Sequence, residues 1–261
     1  MKALQIAASG MAAQQMRVEV ISHNLSNMST TAYNARRAEF ADLHYQQVAR
    51  PGTIAAQDGT MLPTGIQMGM GVRAASVSRM AQQGVLQATG GELDIAIEGS
   101  GWLEVTLPAG GQAYTRDGSL KRTGDGLLVT SGGHEVSPGI TIPAETRSLS
   151  INAAGEVWAY LPDRVAPEQI GQLDLAVFVN EGGLEAMGSN LYLETEASGP
   201  PGIGTASEDG FGSIRQGYLE ESTVDAIREV TELIKAQRGY EMNAKVVAAA
   251  DQMLAATTQV R

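Results

Sequence analysis

Two stretches at opposite ends of the sequence carry an apolar residue at every seventh position. These residues are Leu4, Met11, Val18 and Leu25 near the start, and Leu233, Tyr240, Val247 and Leu254 near the end. Such a repeat places the apolar side chains along one side of an α-helix, as in the seam of a coiled coil. The first stretch holds only three charged residues before residue 36, so the helix alone would be poorly solvated. We therefore expect both helices to be enclosed by partners.

The sequence between these two stretches predicts β structure from about residue 84 to 220. Apolar residues alternate with other residues in several short runs, a spacing typical of strands. The clearest runs are Leu93, Ile95 and Ile97, then Leu103, Val105 and Leu107, then Leu173, Leu175, Val177 and Val179. QGVLQATG (83–90) is similar to QGYLEEST (216–223). The two copies predict strands that pair where the β region begins and ends.

The expected fold class is α+β. The N- and C-terminal helices are predicted to pair as an α-helical coiled-coil domain, with a β-rich domain inserted between them. The predicted boundaries are 1–35 for the first helix, 36–82 for an extended arm, 83–222 for the β-rich domain and 223–261 for the second helix. Ser222 and Asp225 fit a capping box at the start of the second helix. The arm includes two prolines and five glycines between residues 50 and 72 without helical periodicity, which indicates a contact element.

Composition and charge argue against several classes of function. The formal net charge is −11, from 18 Lys and Arg against 29 Asp and Glu. This balance disfavours nucleic acid as a partner, because phosphate binding needs clustered cations. The chain has no cysteine, which excludes disulfides and thiolate metal ligands. None of the three histidines has another ligand residue at metal-binding spacing. We expect no catalytic residues, no metal and no cofactor.

The sequence also bears on membranes and export. No stretch approaches the ~18 consecutive apolar residues of a membrane span, so we expect no membrane insertion. The first residues, MKALQIAASGMAAQQM, fit a signal peptide poorly, because one lysine is the only basic residue and glutamines interrupt the apolar part. We expect a cytoplasmic protein or one exported without a cleaved signal peptide.

A set of recognisable motifs extends along almost the whole sequence. Near the start, the pattern N-L-x-N-x-x-T follows an apolar helical stretch, with Asn24, Leu25, Asn27 and Thr30 at its defined positions. This pattern resembles the N-terminal signature of the flagellar rod, hook and hook-associated axial proteins. Further stretches are similar to the distal rod members of that family. They include ARRAEFADLHYQ (35–46), PTGIQMGMGV (63–72), QQGVLQATGGELDIAIEGSGW (82–102), AYTRDGSL (113–120) and AQRGYEMNAKVVAAADQML (236–254).

The resemblance implies a structural subunit that self-assembles into the distal rod of the bacterial flagellar basal body. Such a rod is a helical tube that crosses the periplasm, transmits torque from the motor to the hook and encloses the export channel. The terminal helices would stack around the channel, and the β-rich domain would form the outer layer. The implied partners are further copies of the chain, proximal rod proteins, the hook protein, the P- and L-ring bushing and the flagellar export apparatus.

The resemblance and the heptad pattern together assign residues to roles. The self-assembly residues are expected to be Leu4, Met11, Val18, Ile21, Asn24, Leu25, Asn27, Thr30, Leu233, Tyr240, Val247 and Leu254. The rod-type arm is expected to include Arg36, Arg37, Glu39, Phe40, Pro51 and Pro63. One position departs from the family pattern: Ala32 stands where the resemblance leads us to expect glycine. Alanine disfavours the positive φ that glycine adopts freely, so the turn at this position is open to question.

Three alternatives remain at this point. The chain could be a proximal rod or hook subunit of the same family, although RRAEF (36–40) and the 46–65 segment favour the distal rod. A monomeric β-rich binding or adhesin module would have no need of low-charge apolar seams at both ends. A hydrolase would need clustered titratable groups, which the sequence does not show.

Overall fold

A computed structural model of the chain describes residues 2–49, 65–108, 110–164 and 166–259. The predicted arm residues Pro51 and Pro63 lie outside these ranges. The chain forms two compact units. The helical unit comprises Met1–Ser26, Arg36–Ser78 and Asp225–Arg261, and the β unit comprises Asn27–Ala35 and Arg79–Val224.

The helical unit contains helices α1 (Lys2–Ser26) and α2 (Ala226–Gln259), which pack against each other. It also contains strands β1 (Arg36–Asp42), β2 (Tyr45–Ala49), β3 (Ile66–Gly69) and β4 (Val72–Arg79). β1 pairs with β4, and β2 pairs antiparallel with β3. Both pairs form two-stranded ribbons, which are marginal in water unless another surface covers them.

The start of α2 differs from the predicted capping box. The side chain of Asp225 accepts hydrogen bonds from the backbone N–H groups of Ile227 (2.9 Å) and Arg228 (3.1 Å). Asp225 is therefore the N-cap residue, because it satisfies the donors that the first turn leaves unpaired. Ser222 instead accepts a hydrogen bond from the backbone N–H of Val224 at 3.3 Å.

The predicted coiled-coil domain with an inserted β-rich domain is wrong. Strands β1 to β4 belong to the same compact unit as the two helices, so β structure is not confined to an insertion between them. The heptad positions are also not buried between the helices. Leu4, Met11 and Val18 are only half-buried, and Tyr240 and Leu254 are exposed. The chain does combine helices with sheets, which is consistent with the α+β class.

Small residues explain why the heptad positions do not form the contact. The buried apolar residues of the two helices are Ala7, Ile21, Ala236 and Ala250. A Cβ atom placed on Gly10 would lie 2.8 Å from Nδ2 of Asn243, and one placed on Gly239 would lie 3.1 Å from Cδ of Gln14. Alanine and glycine let the helix backbones approach closely. The long apolar side chains then lie beside the contact.

The β unit consists of short strands joined by turns. Its strands are β5 (Leu86–Ala88), β6 (Ile95–Glu98), β7 (Trp102–Thr106), β8 (Gln112–Thr115), β9 (Lys121–Arg122), β10 (Leu128–Val129), β11 (Glu135–Val136), β12 (Ser148–Ile151), β13 (Glu156–Tyr160), β14 (Glu168–Gln172), β15 (Asp174–Val177), β16 (Glu185–Gly188), β17 (Leu191–Leu193), β18 (Gly202–Thr205), β19 (Ser213–Gln216) and β20 (Tyr218–Glu220). The largest sheet has the order β16-β17-β8-β7-β11-β10-β9, and β15 pairs with both β7 and β18. Smaller sheets have the orders β12-β13-β14, β19-β6 and β20-β5.

The core of the β unit follows most of the predicted alternation. The buried members of the predicted runs are Ile95, Ile97, Leu103, Val105, Leu173 and Leu175. The third run ends early, because β15 stops at Val177 and the side chain of Val179 is 97% exposed. A second cluster of buried side chains surrounds Trp102 and Tyr114. Burial raises the pKa of the Tyr114 hydroxyl to about 12.

The two similar sequences at 83–90 and 216–223 contain strands that pair, as predicted. β5 runs antiparallel to β20, with Tyr218 opposite Ala88 and Glu220 opposite Leu86. Two strands that are far apart in the sequence therefore close the β region at its beginning and its end.

A buried ion pair lies beside this strand pair. Nε of Arg116 lies 3.1 Å from Oε2 of Glu220, and both side chains are over 90% buried. The other carboxylate oxygen of Glu220 accepts the backbone N–H of Gly84 at 2.8 Å. The remaining Arg116 nitrogens donate to the carbonyls of Gly99 and Gly101, each at 3.1 Å. One guanidinium thus joins strand β20 to the turn before β7.

Ala32 adopts the left-handed conformation that the family pattern suggested. Its φ is +53°, and its backbone N–H donates to the carbonyl of Glu220 at 2.8 Å. An L-residue in this conformation costs about 1–2 kcal/mol. The chain therefore keeps the turn and accepts the strain that glycine would avoid.

We expect Ala32→Gly to change the free energy of unfolding by less than about 1 kcal/mol, because relief of strain offsets the lost methyl group and the greater freedom of the unfolded chain. Ala35→Gly is the matched control, since Ala35 is equally buried but has no positive φ. It should cost about 1–2 kcal/mol more than Ala32→Gly, which is the strain itself. Urea unfolding followed by tryptophan fluorescence measures both, because Trp102 and Trp158 lie in the β unit. Equal losses in the two variants would show that Ala32 is unstrained.

Candidate assembly surface

The predicted self-assembly residues comprise apolar residues on the two helices and polar residues near the end of α1. Leu4, Met11, Val18, Leu25, Leu233 and Val247 are half-buried, Tyr240 and Leu254 are exposed, and Ile21 is buried. Most of the apolar heptad positions are therefore partly exposed in the isolated chain, and the other two are exposed. The polar residues Asn24, Asn27 and Thr30 lie at and beyond the end of α1.

Further apolar side chains are exposed along α2. They are Ile227, Val230, Ile234, Met242, Val246 and Met253, which share one side of the helix and which we call the apolar face of α2. Exposed apolar residues are normal when scattered, but a contiguous set marks an interaction site. A long helix with so many exposed apolar side chains is suited to burial against another protein surface.

One ion pair joins the two helices, and a second ion pair lies within α2. Nη2 of Arg17 lies 2.5 Å from Oε2 of Glu232, and Nζ of Lys235 lies 2.7 Å from Oε1 of the same carboxylate. The hydrogen bond from Lys235, followed by the charge of Arg17, lowers the pKa of Glu232. Because these groups are partly exposed, the Arg17–Glu232 ion pair orients the two helices more than it stabilises them.

Asn24 has a role that its sequence position does not reveal. It is 1% exposed, and its side chain makes both hydrogen bonds that a strand partner would make to Arg36. Nδ2 of Asn24 donates to the carbonyl of Arg36 at 2.8 Å, and the backbone N–H of Arg36 donates to Oδ1 of Asn24 at 2.9 Å. Asn24 thus anchors the first residue of β1 to the last turn of α1.

Asn27 and Thr30 form the turn that follows α1. The backbone N–H of Thr30 donates to the carbonyl of Asn27 at 3.1 Å, and the two side chains are hydrogen-bonded at 3.2 Å. Polar side chains that bond to nearby backbone are favoured in such turns. The structure shows what these residues do within one chain, and their part in assembly stays a prediction.

The described arm residues lie on β1. Oε1 of Glu39 accepts from Arg37 at 3.0 Å, and its carboxylate also accepts the hydroxyls of Ser76 (3.0 Å) and Ser78 (3.1 Å) on β4. These contacts, that of Arg37 foremost, lower the pKa of Glu39. Phe40 is half-buried in the same strand. The carboxylate therefore links the two strands of this ribbon.

The pKa of Glu39 gives a test of that link. We expect Arg37→Gln to raise this pKa toward its ordinary value, and Ser76→Ala to raise it less, because the arginine contact is the larger cause. A lowered pKa in the folded state stabilises the ribbon above the unfolded pKa, and the contribution is lost as pH falls through the folded value. Carboxyl NMR titration of the Glu39 side chain measures the shift. An unchanged pKa in Arg37→Gln would contradict this account.

Neither a metal-binding cluster nor a membrane-spanning helix occurs in the described part of the chain. Within these residues, no three His, Asp or Glu side chains are grouped so that they could hold a metal ion. No helix among them is long and apolar enough to span a membrane.

Three family models match separate parts of the chain. Residues 4–33 match "Flagella basal body rod protein", residues 96–159 match "Flagellar hook protein FlgE/F/G D1 domain" and residues 215–260 match "Flagellar basal body rod FlgEFG protein C-terminal". The chain is 50% identical to the flagellar basal-body rod protein FlgG of Caulobacter vibrioides over 261 residues, which is the full length of both. The chain belongs to the FlgG family of flagellar basal-body rod proteins.

Other FlgG proteins match over nearly the same length. The FlgG of Agrobacterium fabrum is 43% identical, and that of Bacillus subtilis is 32% identical; each comparison covers 97% of both chains. The resemblance that the motifs indicated is thereby confirmed. The FlgG matches extend through both compact units, so membership does not depend on one motif.

Sequence reasoning missed the residues that bring the helices together. Gly10, Gln14, Gly239 and Asn243 interrupt the apolar pattern, and a search for apolar periodicity passes over them. The available signal was their spacing, because a glycine and an amide stand four residues apart in both helices. Arg116 and Glu220 gave no local signal, since 104 residues separate them.

Proposed function

We propose that the chain is a structural subunit that polymerises into the distal rod of the flagellar basal body. The rod transmits torque from the motor to the hook and encloses the export channel. The observation that carries this proposal is the apolar face of α2, which is exposed in a chain of the FlgG family. Burial of that face between subunits supplies a favourable term of about 25 cal/mol per Å² of apolar surface.

The assembly contacts are proposed to run along both helices. Leu4, Met11, Val18 and Leu25 contribute from α1, and Leu233, Tyr240, Val247 and Leu254 contribute from α2. Subunits that associate head to tail by a rotation that does not close form open helical filaments. The low charge of α1, with two basic residues and one acidic residue, supports burial among neighbouring subunits.

The 36–82 segment is proposed to act as the rod-type arm. Tyr45, Val48, Ile66 and Met68 on the β2–β3 ribbon are all exposed. Because a two-stranded ribbon is marginal by itself, a neighbouring subunit that covers these side chains would stabilise it. The predicted domains 1–35, 83–222 and 223–261 belong to the same proposal.

The proposed partners follow from a rod position. They are further copies of the chain, proximal rod proteins, the hook protein, the P- and L-ring bushing and the export apparatus, which would deliver the subunit without a cleaved signal peptide. The proposal includes no enzymatic activity, no cofactor, no nucleic acid and no membrane insertion. The acidic balance of the chain and its family both support a structural role.

Electron microscopy of the purified, concentrated chain tests polymerisation. We expect tubes with a central channel, and sedimentation should show polymer that increases with concentration. A persistent monomer at every concentration would favour a binding module instead. Expression in a Caulobacter vibrioides strain that lacks its own FlgG tests the place in the rod: restored motility supports the distal rod. Rescue only of strains that lack a proximal rod or hook subunit would reassign the chain.

A further inference from the structure

Gly10, Gln14, Gly239 and Asn243 form a reciprocal contact between α1 and α2. Asn243 lies over Gly10, and Gln14 lies over Gly239, so each helix offers one glycine and one amide side chain to the other. Residue numbers rise along α1 from 10 to 14 while they fall along α2 from 243 to 239. The two helices therefore run antiparallel, and the contact has an approximate two-fold symmetry.

The fit at these glycines is close. A Cβ on Gly10 would lie 2.8 Å from Nδ2 of Asn243, a separation that real Cβ atoms do not show. A Cβ on Gly239 would lie 3.1 Å from Cδ and 3.3 Å from Nε2 of Gln14, which is tighter than ordinary contact. Glycine inside a helix lowers the stability of that helix. Two internal glycines, each opposite an amide side chain, therefore destabilise the helix pair unless the close contact offsets that loss.

The buried oxygen of Gln14 argues in the same direction. Among the residues that the structure describes, Oε1 of Gln14 is buried and has no hydrogen-bond partner. A buried acceptor without a partner destabilises a fold, and an apolar side chain of similar size would avoid that loss. Polar groups at helix contacts can specify one alignment at the expense of stability.

The apolar pattern does not fix the alignment of the two helices, because it repeats every seven residues along both of them. A slip of seven residues leaves the apolar heptad residues on the same sides of both helices, beside the contact, so these residues do not choose between registers. The same slip places Gln14 opposite Val246 or Glu232. The side chains of these residues occupy the space that a glycine would leave open. The slip moves Asn243 away from Gly10 as well.

The geometry points to Gln14 and Asn243 as the residues that set the register of the antiparallel helix pair, each by fitting over the glycine of the opposite helix. They select one alignment from the set that the heptad repeat permits. The apolar face of α2 is then presented at one height relative to α1. This property belongs to the single chain and holds whether or not the chain forms a rod.

Pulsed electron paramagnetic resonance on the full chain measures the register. The chain has no cysteine, so two introduced cysteines, Ala12→Cys and Gln252→Cys, carry the only spin labels. Both positions are exposed and face away from the contact. They are offset along the helices, so a slip of seven residues, which is roughly 10 Å along the axis, changes the distance between the labels.

We expect a single narrow distance in the labelled parent chain. Gln14→Leu combined with Asn243→Leu should add a second distance from a slipped register while helicity by circular dichroism is retained. The control is Gln15→Leu with Gln237→Leu, which makes the same kind of change at exposed positions of the same helices and should keep the single distance. A single parental distance in the Gln14 and Asn243 double variant would overturn the inference.

A milder variant keeps the test decisive if the double variant does not fold. Gly239→Ala fills the space beneath Gln14 and should shift or broaden the distance. Adding Gln14→Ala to it removes the clash and should restore the parental distance. An unchanged distance in Gly239→Ala, or a shifted distance that Gln14→Ala does not restore, would also contradict the role of these residues. All samples are kept dilute and monomeric, so the result does not depend on polymerisation.

Discussion

Replacing Tyr240 or Leu254 with aspartate is expected to abolish polymer formation while the isolated subunit stays folded. The two side chains are 45% and 42% exposed, so a carboxylate at either position remains in contact with water in the monomer. Exposed substitutions of this kind change the free energy of unfolding by about 0.5 kcal/mol or little more. In the proposed polymer the same carboxylate would lose its water without gaining a partner.

The loss on assembly is large because burial of an unpaired charge costs several kcal/mol, and about 1.4 kcal/mol changes an equilibrium tenfold. The concentration needed for polymerisation should therefore rise at least about a hundredfold. Sedimentation over a concentration series measures it. Val179→Asp is the control, because it adds the same charge at an apolar residue that is 97% exposed and lies in the β unit, outside both helices. Polymer formation by Tyr240→Asp and Leu254→Asp at the parental concentration would exclude these positions from the assembly surface.

Arg116→Met is expected to lower the free energy of unfolding of the β unit by about 3–5 kcal/mol. The substitution leaves the Glu220 carboxylate buried, with the hydrogen bond from the backbone N–H of Gly84 in place and the Arg116 ion pair lost. It also removes the donors to the carbonyls of Gly99 and Gly101. Urea unfolding, followed by the fluorescence of Trp102 and Trp158, reports on this unit alone.

The size of the effect can be assigned to the pair by a double-mutant cycle. Glu220→Leu in the Arg116→Met background should recover part of the loss, because no charge is then buried without a partner. Arg164→Met is the control in the same unit, since it removes an exposed ion pair with Glu168 and should cost less than about 1 kcal/mol. A loss in Arg116→Met no greater than that of the control would mean that the buried pair contributes little.

Much of the fold could be anticipated from local patterns. Apolar residues spaced for a helix marked α1 and α2, and alternation identified the strands that contain Ile95 and Leu103. The repeated QG stretches even indicated which two distant strands would pair. These features depend on backbone geometry over a few residues, so neighbouring residues carry the information.

The helix contact was predicted incorrectly for a related reason. A heptad repeat shows which side of a helix is apolar, and it does not show what the second helix places opposite. Gly10 and Gly239 allow an approach that leaves Tyr240 and Leu254 open to solvent. Because Tyr240 and Leu254 are not buried between the two helices of one chain, they are available for the proposed contacts between subunits.

The candidate site divides in the same way. Asn24 was expected among the assembly residues from its motif, but its two hydrogen bonds to Arg36 depend on how the chain returns after the turn. Ser222 and Asp225 both suited a helix cap, and the actual course of the backbone selected Asp225. A motif indicates which residue matters, and the path of the chain selects the atoms that it contacts.

The sequence by itself determined the two helices, the β character of the middle and membership of the flagellar axial proteins, because periodicity and motif spacing are local properties. Only the tertiary structure decided that glycines and amides join the helices, that strands β1 to β4 share their unit and that Arg116 meets Glu220. Some of the residues that make contacts between the helices lie more than 200 positions apart in the sequence. They form only when the backbone closes each loop and packing chooses one arrangement among many that the local patterns allow.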